Sequence, residues 1–240
     1  MKYYAIIVAG GSGSRMQSGI AKQFLLLEGL PVLMHTIKAF NECSLTPHIL
    51  LVLNIDLHKY WEELCQQHNF SVPHELVSGG PQRFHSVKNG LKAIKGKGIV
   101  AVHDAVRPLV SAELISKSYH VAEETGNCVV GVMPTDSVRR ISEGGKSVAL
   151  NRNELALIQT PQTFNIDLLR KAYQTPFRNE FTDDASVVEY SGVSINLIEG
   201  ERQNIKITYP EDLEIASILM KKTKKAPLWT APKSLDKFSY

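Results

Sequence analysis

The chain is poor in cysteine. Cys43, Cys65 and Cys128 are all it holds in 240 residues. The number is odd, the spacing is wide and no Cys-x-x-Cys pair occurs, which speaks against a disulfide framework or a zinc site. It points instead to a reducing compartment. Cys43 and Cys65 fall in helix-like segments and Cys128 opens a strand-like run, so all three are expected as core or surface thiols. Long apolar runs are also missing. Nothing approaches the roughly 18 residues that a membrane span needs. The N-terminus enters a strand at once, with no signal-peptide pattern, so a cytoplasmic protein is expected. Two common phosphate motifs are absent as well. A dinucleotide fingerprint needs Gly-x-Gly-x-x-Gly, and Met16 stands where the third glycine belongs. A P-loop needs Gly-x-x-x-x-Gly-Lys-Ser/Thr; the nearest candidate, from Gly90 to Gly98, has one residue too many and lacks the hydroxyl.

Charge of one sign is scarce over most of the molecule. The formal net charge is +3, but residues 221–240 hold six lysines against Asp236, so the remainder sits at −2. A body near neutrality lacks the basic face of a nucleic-acid reader. The tail, with Pro227 and Pro232, reads as a solvated basic terminus. The expected organisation is one domain over 1–222, with an arm at 134–152 and a tail at 223–240.

What is present is rhythm. Apolar runs at 3–8, 49–54, 74–78, 98–103, 128–132 and 194–198 alternate with helix-like patterns. Pro31 opens one helix, residues 56–68 form a second, and Phe84, Val87, Leu91 and Ile94 stripe a third. Residues 111–125 form a fourth, with Ser111 as its N-cap. Such alternation predicts an α/β fold, a Rossmann-like, mostly parallel twisted sheet with helices on both faces. Residues 134–151 break the pattern. They read as a hairpin around Gly144-Gly145, either an arm that meets a partner subunit or an edge hairpin on its own subunit. Pro210, Glu211 and Asp212 start a last helix that Lys221 and Lys222 close.

Ligands of such a sheet sit beyond the carboxyl ends of the strands. The segment Ala9-Gly10-Gly11-Ser12-Gly13-Ser14-Arg15-Met16 follows the first strand, and Lys22-Gln23-Phe24 comes next. Small residues let backbone N–H groups approach a phosphate, and Arg15 and Lys22 add positive charge. Gly79-Gly80 leads into a helix bearing Arg83 and Ser86; Ser86 either bonds a base or ribose or is satisfied on its own helix. In His103-Asp104-Ala105-Val106-Arg107, Asp104 is a turn former or a Mg²⁺ ligand. Arg107 faces a phosphate or sugar hydroxyl, or forms a surface ion pair, and His103 shapes the site. Arg152 suits a phosphomonoester through its planar fork, with Thr160 adding a hydroxyl. Asn204-Ile205-Lys206-Ile207-Thr208 is expected to end a late strand and offer Lys206 to phosphate. Thr182-Asp183-Asp184-Ala185 reads as a helix cap.

The ordered set Gly-Gly-x-Gly-x-Arg-Met, Lys-Gln-Phe, Gly-Gly…Arg…Ser-Val, His-Asp-Ala-x-Arg-Pro, Thr-Pro-Gln-x-Phe, Thr-Asp-Asp-Ala and Asn-Ile-Lys-Ile-Thr spans residues 3–219. It closely resembles the 2-C-methyl-D-erythritol 4-phosphate cytidylyltransferase family, of the non-mevalonate isoprenoid route, and its sister, the ribitol-5-phosphate cytidylyltransferases. Asn151-Arg152-Asn153-Glu154-Leu155 and Gln159-Thr160-Pro161-Gln162 look more like the methylerythritol branch. The chain departs from the family at Ala21, where Pro is usual, and at Ser137, where Thr is common.

The resemblance implies transfer of a cytidylyl group from CTP to a small polyol phosphate, with Mg²⁺ or another divalent cation as cofactor. It implies that Arg15 and Lys22 are catalytic. Ala9, Gly10, Gly11, Gly13, Gly79, Gly80, Arg83, Ser86, Asp104, Ala105 and Lys206 would bind the nucleotide. Asp104, Arg107, Ser137, Arg152, Thr160 and Lys206 would bind the acceptor, and Asp104 the metal. Ser137 and Arg152 would act across a homodimer built on the 134–152 arm. A nucleotide-binding regulator without turnover is the reading from another class.

Overall fold

Strand β1 (Tyr3–Val8) owes its position to an unbroken apolar run. Ala5 and Ile7 pack into one helical layer while Ile6 and Val8 pack into the other. A strand covered on both faces needs no polar alternation. The computed structural model describes residues 1–10 and 20–224. Gly11, Gly13 and Arg15, and the tail from residue 225, lie outside the described residues.

Eleven strands are described. They are β1, β2 (Leu26–Leu27), β3 (Leu30–Pro31), β4 (His48–Leu53), β5 (Glu75–Ser78), β6 (Ile99–Asp104), β7 (Asn127–Val132), β8 (Val138–Ile141), β9 (Ser147–Leu150), β10 (Leu157–Asn165) and β11 (Leu197–Glu199). Seven of them form one sheet in the order β11-β7-β10-β6-β1-β4-β5. All run one way except β10, which is antiparallel to both β6 and β7. The mostly parallel sheet of the sequence reading is therefore present, with one reversed strand near its middle.

The helices cover both faces. One layer holds α1 (Val32–Asn41), α2 (His58–Gln67) and α4 (Ala112–Thr125), whose Leu33, Ile37, Phe40, Trp61, Ile115 and Tyr119 are buried. The other holds α3 (Arg83–Ala93), α5 (Ile166–Ala172) and α6 (Asp184–Tyr190), with Phe84, Val87, Leu91, Leu169 and Val188 inside. Each such side chain contributes roughly 1.5–3 kcal/mol on burial. Gly90 permits close contact of α3 with β1: a Cβ there would lie 3.0 Å from Ile6. The last helix, α7 (Pro210–Lys224), buries Ala216 against Leu27, Val32, Val106 and Ile207.

Several local expectations hold. Ser111 caps α4 by accepting from the Leu114 N–H, and Asp183 caps α6 in a capping box with Ser186. Residues 138–150 form a two-stranded hairpin, β8 with β9, whose turn places Gly144 and Gly145 at positive φ. Two expectations need correction, and one strand was not foreseen. Cys43 lies just beyond α1, in the connection to β4. Asn204–Thr208 is not a strand; the late strand is β11, earlier in the chain, and residues 204–208 are irregular and tied to the loop after β6 by Ile207 N–H to Val106 O at 2.9 Å. The segment from Gln159 to Phe164 is a strand, β10, which its polar residues and Pro161 disguised. Its pairing with β7 shifts register between Ile158 and Gln162, which accommodates the proline.

Candidate active site

The carboxyl ends of β1, β4, β5 and β6 share one rim, and β10 enters the sheet at that same rim. Each strand end hands over to a loop tied to its neighbour. Ala9 N–H donates to Val52 O at 2.8 Å, Gly79 N–H to Leu53 O at 2.8 Å and Ala105 N–H to Val8 O at 3.1 Å. Buried Gln23 ties the Lys22–Phe24 turn to the same place, donating from Nε2 to Ala9 O at 3.0 Å.

Two cavities open on this rim. The larger, about 450 Å³, is lined by Ala9, Gly10, Lys22, Gln82, Arg83, Asp104, Ala105 and Lys206 among others. The smaller, about 210 Å³, is lined by Arg83, Asp104, Arg107, Gln159, Thr160, Asp183 and Lys206 among others. Arg83, Asp104 and Lys206 belong to both and form the wall between them. A wider groove of about 560 Å³ lies elsewhere, between the end of α1 and α4; no strand end reaches it.

Asp104 is the hub. Lys206 Nζ lies 3.0 Å and Arg107 Nε 3.3 Å from Oδ2, while Arg83 Nε lies 3.6 Å from Oδ1. Burial alone would raise the pKa of this carboxyl. Arg83, then Lys206 and Arg107, outweigh that and hold it well below the usual carboxylate range. Arg107 also donates from Nη1 to Asn204 O at 2.8 Å, so the irregular 204–208 segment is what brings Lys206 to the rim. Burial is the main reason that Arg107 sits below the ordinary guanidinium pKa.

Beneath the hub, His103 is fully buried. Its Nε2 lies 3.2 Å from Arg107 O, and a carbonyl only accepts, so Nε2 carries the proton. Its Nδ1 then accepts from the Thr160 hydroxyl at 3.0 Å, and Thr160 Oγ1 in turn accepts from Asp104 N–H at 3.1 Å. Burial pushes the His103 pKa down to about 4. With both nitrogens engaged, His103 braces the Thr160 hydroxyl and, through it, the Asp104 N–H.

The Gly79-Gly80 turn is braced from below. Gly80 N–H donates to the Ser86 hydroxyl at 3.0 Å, and Ser86 is buried. The partner is the turn before α3 and not the helix's own backbone; the Ser86 hydroxyl also lies 3.2 Å from where a Cβ on Gly10 would sit. Gly80 leaves no room for a side chain, since a Cβ there would collide with His85 Cβ.

The predicted residues thus divide. Ala9, Gly10, Lys22, Arg83, Asp104, Ala105, Arg107, Thr160 and Lys206 line one or both cavities, with Gly79, Gly80 and Ser86 directly behind. Ser137 and Arg152 do not join them. Both are exposed on the arm, where Arg152 Nη1 donates to Thr135 O at 2.6 Å. Residues that the sequence reading did not single out as site residues are Gln23, Gln82, Gln162, Asp184 and Asn204. Gln162, Asp184 and Asn204 are polar and almost wholly buried, the signal that such residues carry, but burial is visible only in the fold.

The described residues include no helix long and apolar enough to cross a membrane. Comparison with known proteins agrees with the motif reading. The IspD family model, 2-C-methyl-D-erythritol 4-phosphate cytidylyltransferase, matches residues 3–222. A relative of that name from Bacteroides thetaiotaomicron is 48% identical over 220 residues, covering 92% of this chain and all of the relative. One from Clostridium botulinum is 42% identical, covering 90% and 98%. Among solved structures, the 4-diphosphocytidyl-2C-methyl-D-erythritol synthase of Anaerococcus prevotii superposes with a TM-score of 0.79 at 28% identity, covering 92% of this chain and 96% of that one. The cytidylyltransferase of Thermus thermophilus superposes with a TM-score of 0.75 at 27% identity, covering 92% and 100%. The chain therefore belongs to the 2-C-methyl-D-erythritol 4-phosphate cytidylyltransferase family.

Proposed function

We propose that the chain joins CTP to 2-C-methyl-D-erythritol 4-phosphate, giving 4-diphosphocytidyl-2-C-methyl-D-erythritol and pyrophosphate in isoprenoid biosynthesis. The single observation that carries the reading is the shared wall. Two cavities meet at Arg83, Asp104 and Lys206, one bordered by Ala9, Gly10 and Lys22 and the other by Thr160 and Arg107. The triphosphate occupies the larger and the acceptor the smaller, so the two phosphates meet beside Lys206 and Lys22.

An acceptor phosphate oxygen attacks the α-phosphorus of CTP, one P–O bond forms, and the bond to the leaving pyrophosphate breaks. A phosphate monoester is already ionised at pH 7, so no general base is needed. That fits His103, which is buried and neutral. Catalysis is then positioning and charge stabilisation. Among the described residues the two cavities present Lys22, Arg83, Arg107 and Lys206 against Asp104 and Asp183, an excess of positive charge suited to phosphates. Arg15 would add to it.

A divalent cation would be held by Asp104 together with phosphate oxygens. Mg²⁺ commonly takes one or two carboxylates and the substrate's phosphates. The residues fit that limited role. Asp104 Oδ1 is the less engaged oxygen, and no group of three or more His, Cys, Asp or Glu among the described residues could hold a metal by itself. When bound, the cation would offset phosphate charge.

Ser137 and Arg152 would complete the acceptor site of a second copy, joined through the β8–β9 arm. The exposed apolar side chains of that arm support this. The test is pyrophosphate release from CTP and Mg²⁺, with methylerythritol phosphate and ribitol 5-phosphate offered in parallel. Release only with the first is expected. Release only with the second moves the chain to the sister activity, and release with neither supports a regulator.

A further inference from the structure

We propose that Asp184, clamped by Tyr173, is a positioning residue that fixes the Arg83 guanidinium in the wall between the two cavities. The inference rests on the functional reading above and adds residues to it. Arg83 opens α3, and a cation at a helix N-terminus opposes the helix dipole. It needs compensating carboxylates to stay there. Asp104 supplies one at 3.6 Å, and Asp184 supplies the closer, with Arg83 Nη2 donating to Oδ2 at 2.6 Å.

Asp184 is wholly buried and held from three sides. The Tyr173 hydroxyl donates to its Oδ1 at 2.6 Å. Its backbone N–H and that of Ala185 both donate to Gln162 Oε1 at 2.9 Å. Gln162 Nε2 donates to Asp183 Oδ2 at 2.8 Å, which ties this corner to β10. The Tyr173 ring stacks on Phe84, the residue after Arg83, with centroids 4.7 Å apart. Both ends of the clamp are thus fixed to the same turn of α3.

The consequence is electrostatic as well as geometric. Arg83, Arg107 and Lys206 surround one carboxylate, Asp104. Asp184 draws the Arg83 fork toward the α6 side and leaves Nε for Asp104. Burial alone would lower the Arg83 pKa, but Asp184 and Asp104 outweigh it and raise it, so the guanidinium stays charged. A structural ion pair would need only to exist. This one sets where a cation stands relative to both cavities.

The experiment has two arms on the full chain. Side-chain Nη–H exchange of Arg83, followed by ¹⁵N NMR without substrate, reads the clamp directly, because Asp184 accepts from Nη2. Asp184→Asn and, as the milder variant, Tyr173→Phe are expected to accelerate exchange by about tenfold, the change expected for one lost hydrogen bond to a charged group. Unchanged exchange in both overturns the proposal. The second arm is a double-mutant cycle on KM for CTP and on kcat. Asp184 acting through Arg83 predicts that Asp184→Asn with Arg83→Ala is no worse than Arg83→Ala alone, and that Arg83→Lys, which keeps charge but not the fork, fails to rescue. Additive losses overturn it. If the wild-type chain releases no pyrophosphate, the functional reading fails, and the exchange arm still decides the clamp.

Discussion

The rim and the arm are built on opposite principles. At the rim, Asp104, Arg107, His103 and Thr160 are all buried and bonded to one another within one chain. On the arm, β8 and β9 are exposed along most of their length, with Ile141 76% and Val148 56% accessible. The arm's own cross-strand support includes Arg139 Nε to the Ser147 hydroxyl at 2.8 Å. An isolated two-stranded hairpin is marginal in water. The hub of the rim is bonded within its own chain, whereas the arm carries apolar side chains that stay exposed among the described residues. That difference teaches where single substitutions should disturb the fold, and where they leave it intact and test the proposed assembly instead.

The sharpest break of the comparison is Lys22→Ala. A fixed cation at a developing phosphate charge is worth about 10²–10³ in kcat. Turnover is expected to fall by that factor while CTP still binds measurably by calorimetry. Near-normal kcat would remove Lys22 from the chemistry.

The next effect is on stability and comes from His103. Its folded pKa of about 4 lies below the ordinary 6.5, so between those values the unfolded chain binds the extra proton. Stability therefore falls as pH drops from 6.5 to 4, by roughly 3 kcal/mol in total. Asp104, with its pKa held down, adds a further loss only below the ordinary carboxylate range. Urea unfolding across this pH window checks the first part. His103→Gln should flatten the slope between pH 6.5 and 4 and leave the steeper loss below it.

Gly80→Ala comes third. Its Cβ would press on His85 Cβ and on the His85 backbone, which lies 3.0 Å away, and backbone cannot step aside cheaply. A cost of about 1–3 kcal/mol is expected, as for overpacking. Thermal unfolding gives the stability term, and the KM for CTP should rise because the turn moves with it.

The smallest effect on the fold belongs to the arm. Ile141→Asp is exposed and touches no core, so stability at low protein concentration should change by no more than about 0.5 kcal/mol. Sedimentation velocity should nevertheless show a shift toward the single chain. An unchanged association state would detach the arm from assembly and leave it a surface hairpin.

Much of this was readable from residue order. Apolar runs covered on both faces announced β1, β4 and β6, and helical stripes announced α1 and α3, because burial on a sheet imposes those periods; Ser111 marked the start of α4. Ala9-Gly10, Gly79-Gly80 and His103-Asp104 could be assigned to one rim because parallel strands all end on the same side. β10 could not be read. Its Gln159, Thr160, Pro161, Gln162 and Thr163 look like a loop, and they lie in the middle of the sheet because each polar group finds a buried partner. Thr160 bonds His103, Gln162 bonds Asp184, and Thr163 Oγ1 donates to Ser118 Oγ at 3.0 Å.

What the sequence by itself determined is the layered α/β frame, the caps, the hairpin turn and the residue types gathered for phosphate. Those follow from local periodicity and turn chemistry, which act over a few residues. Only the tertiary structure decided that Arg83, Arg107 and Lys206 converge on Asp104, and that Asp184 stands behind Arg83, 101 positions away along the chain. Such convergence depends on strand order and on the reversed direction of β10. Charges attract over distances set by the fold, not by spacing along the chain.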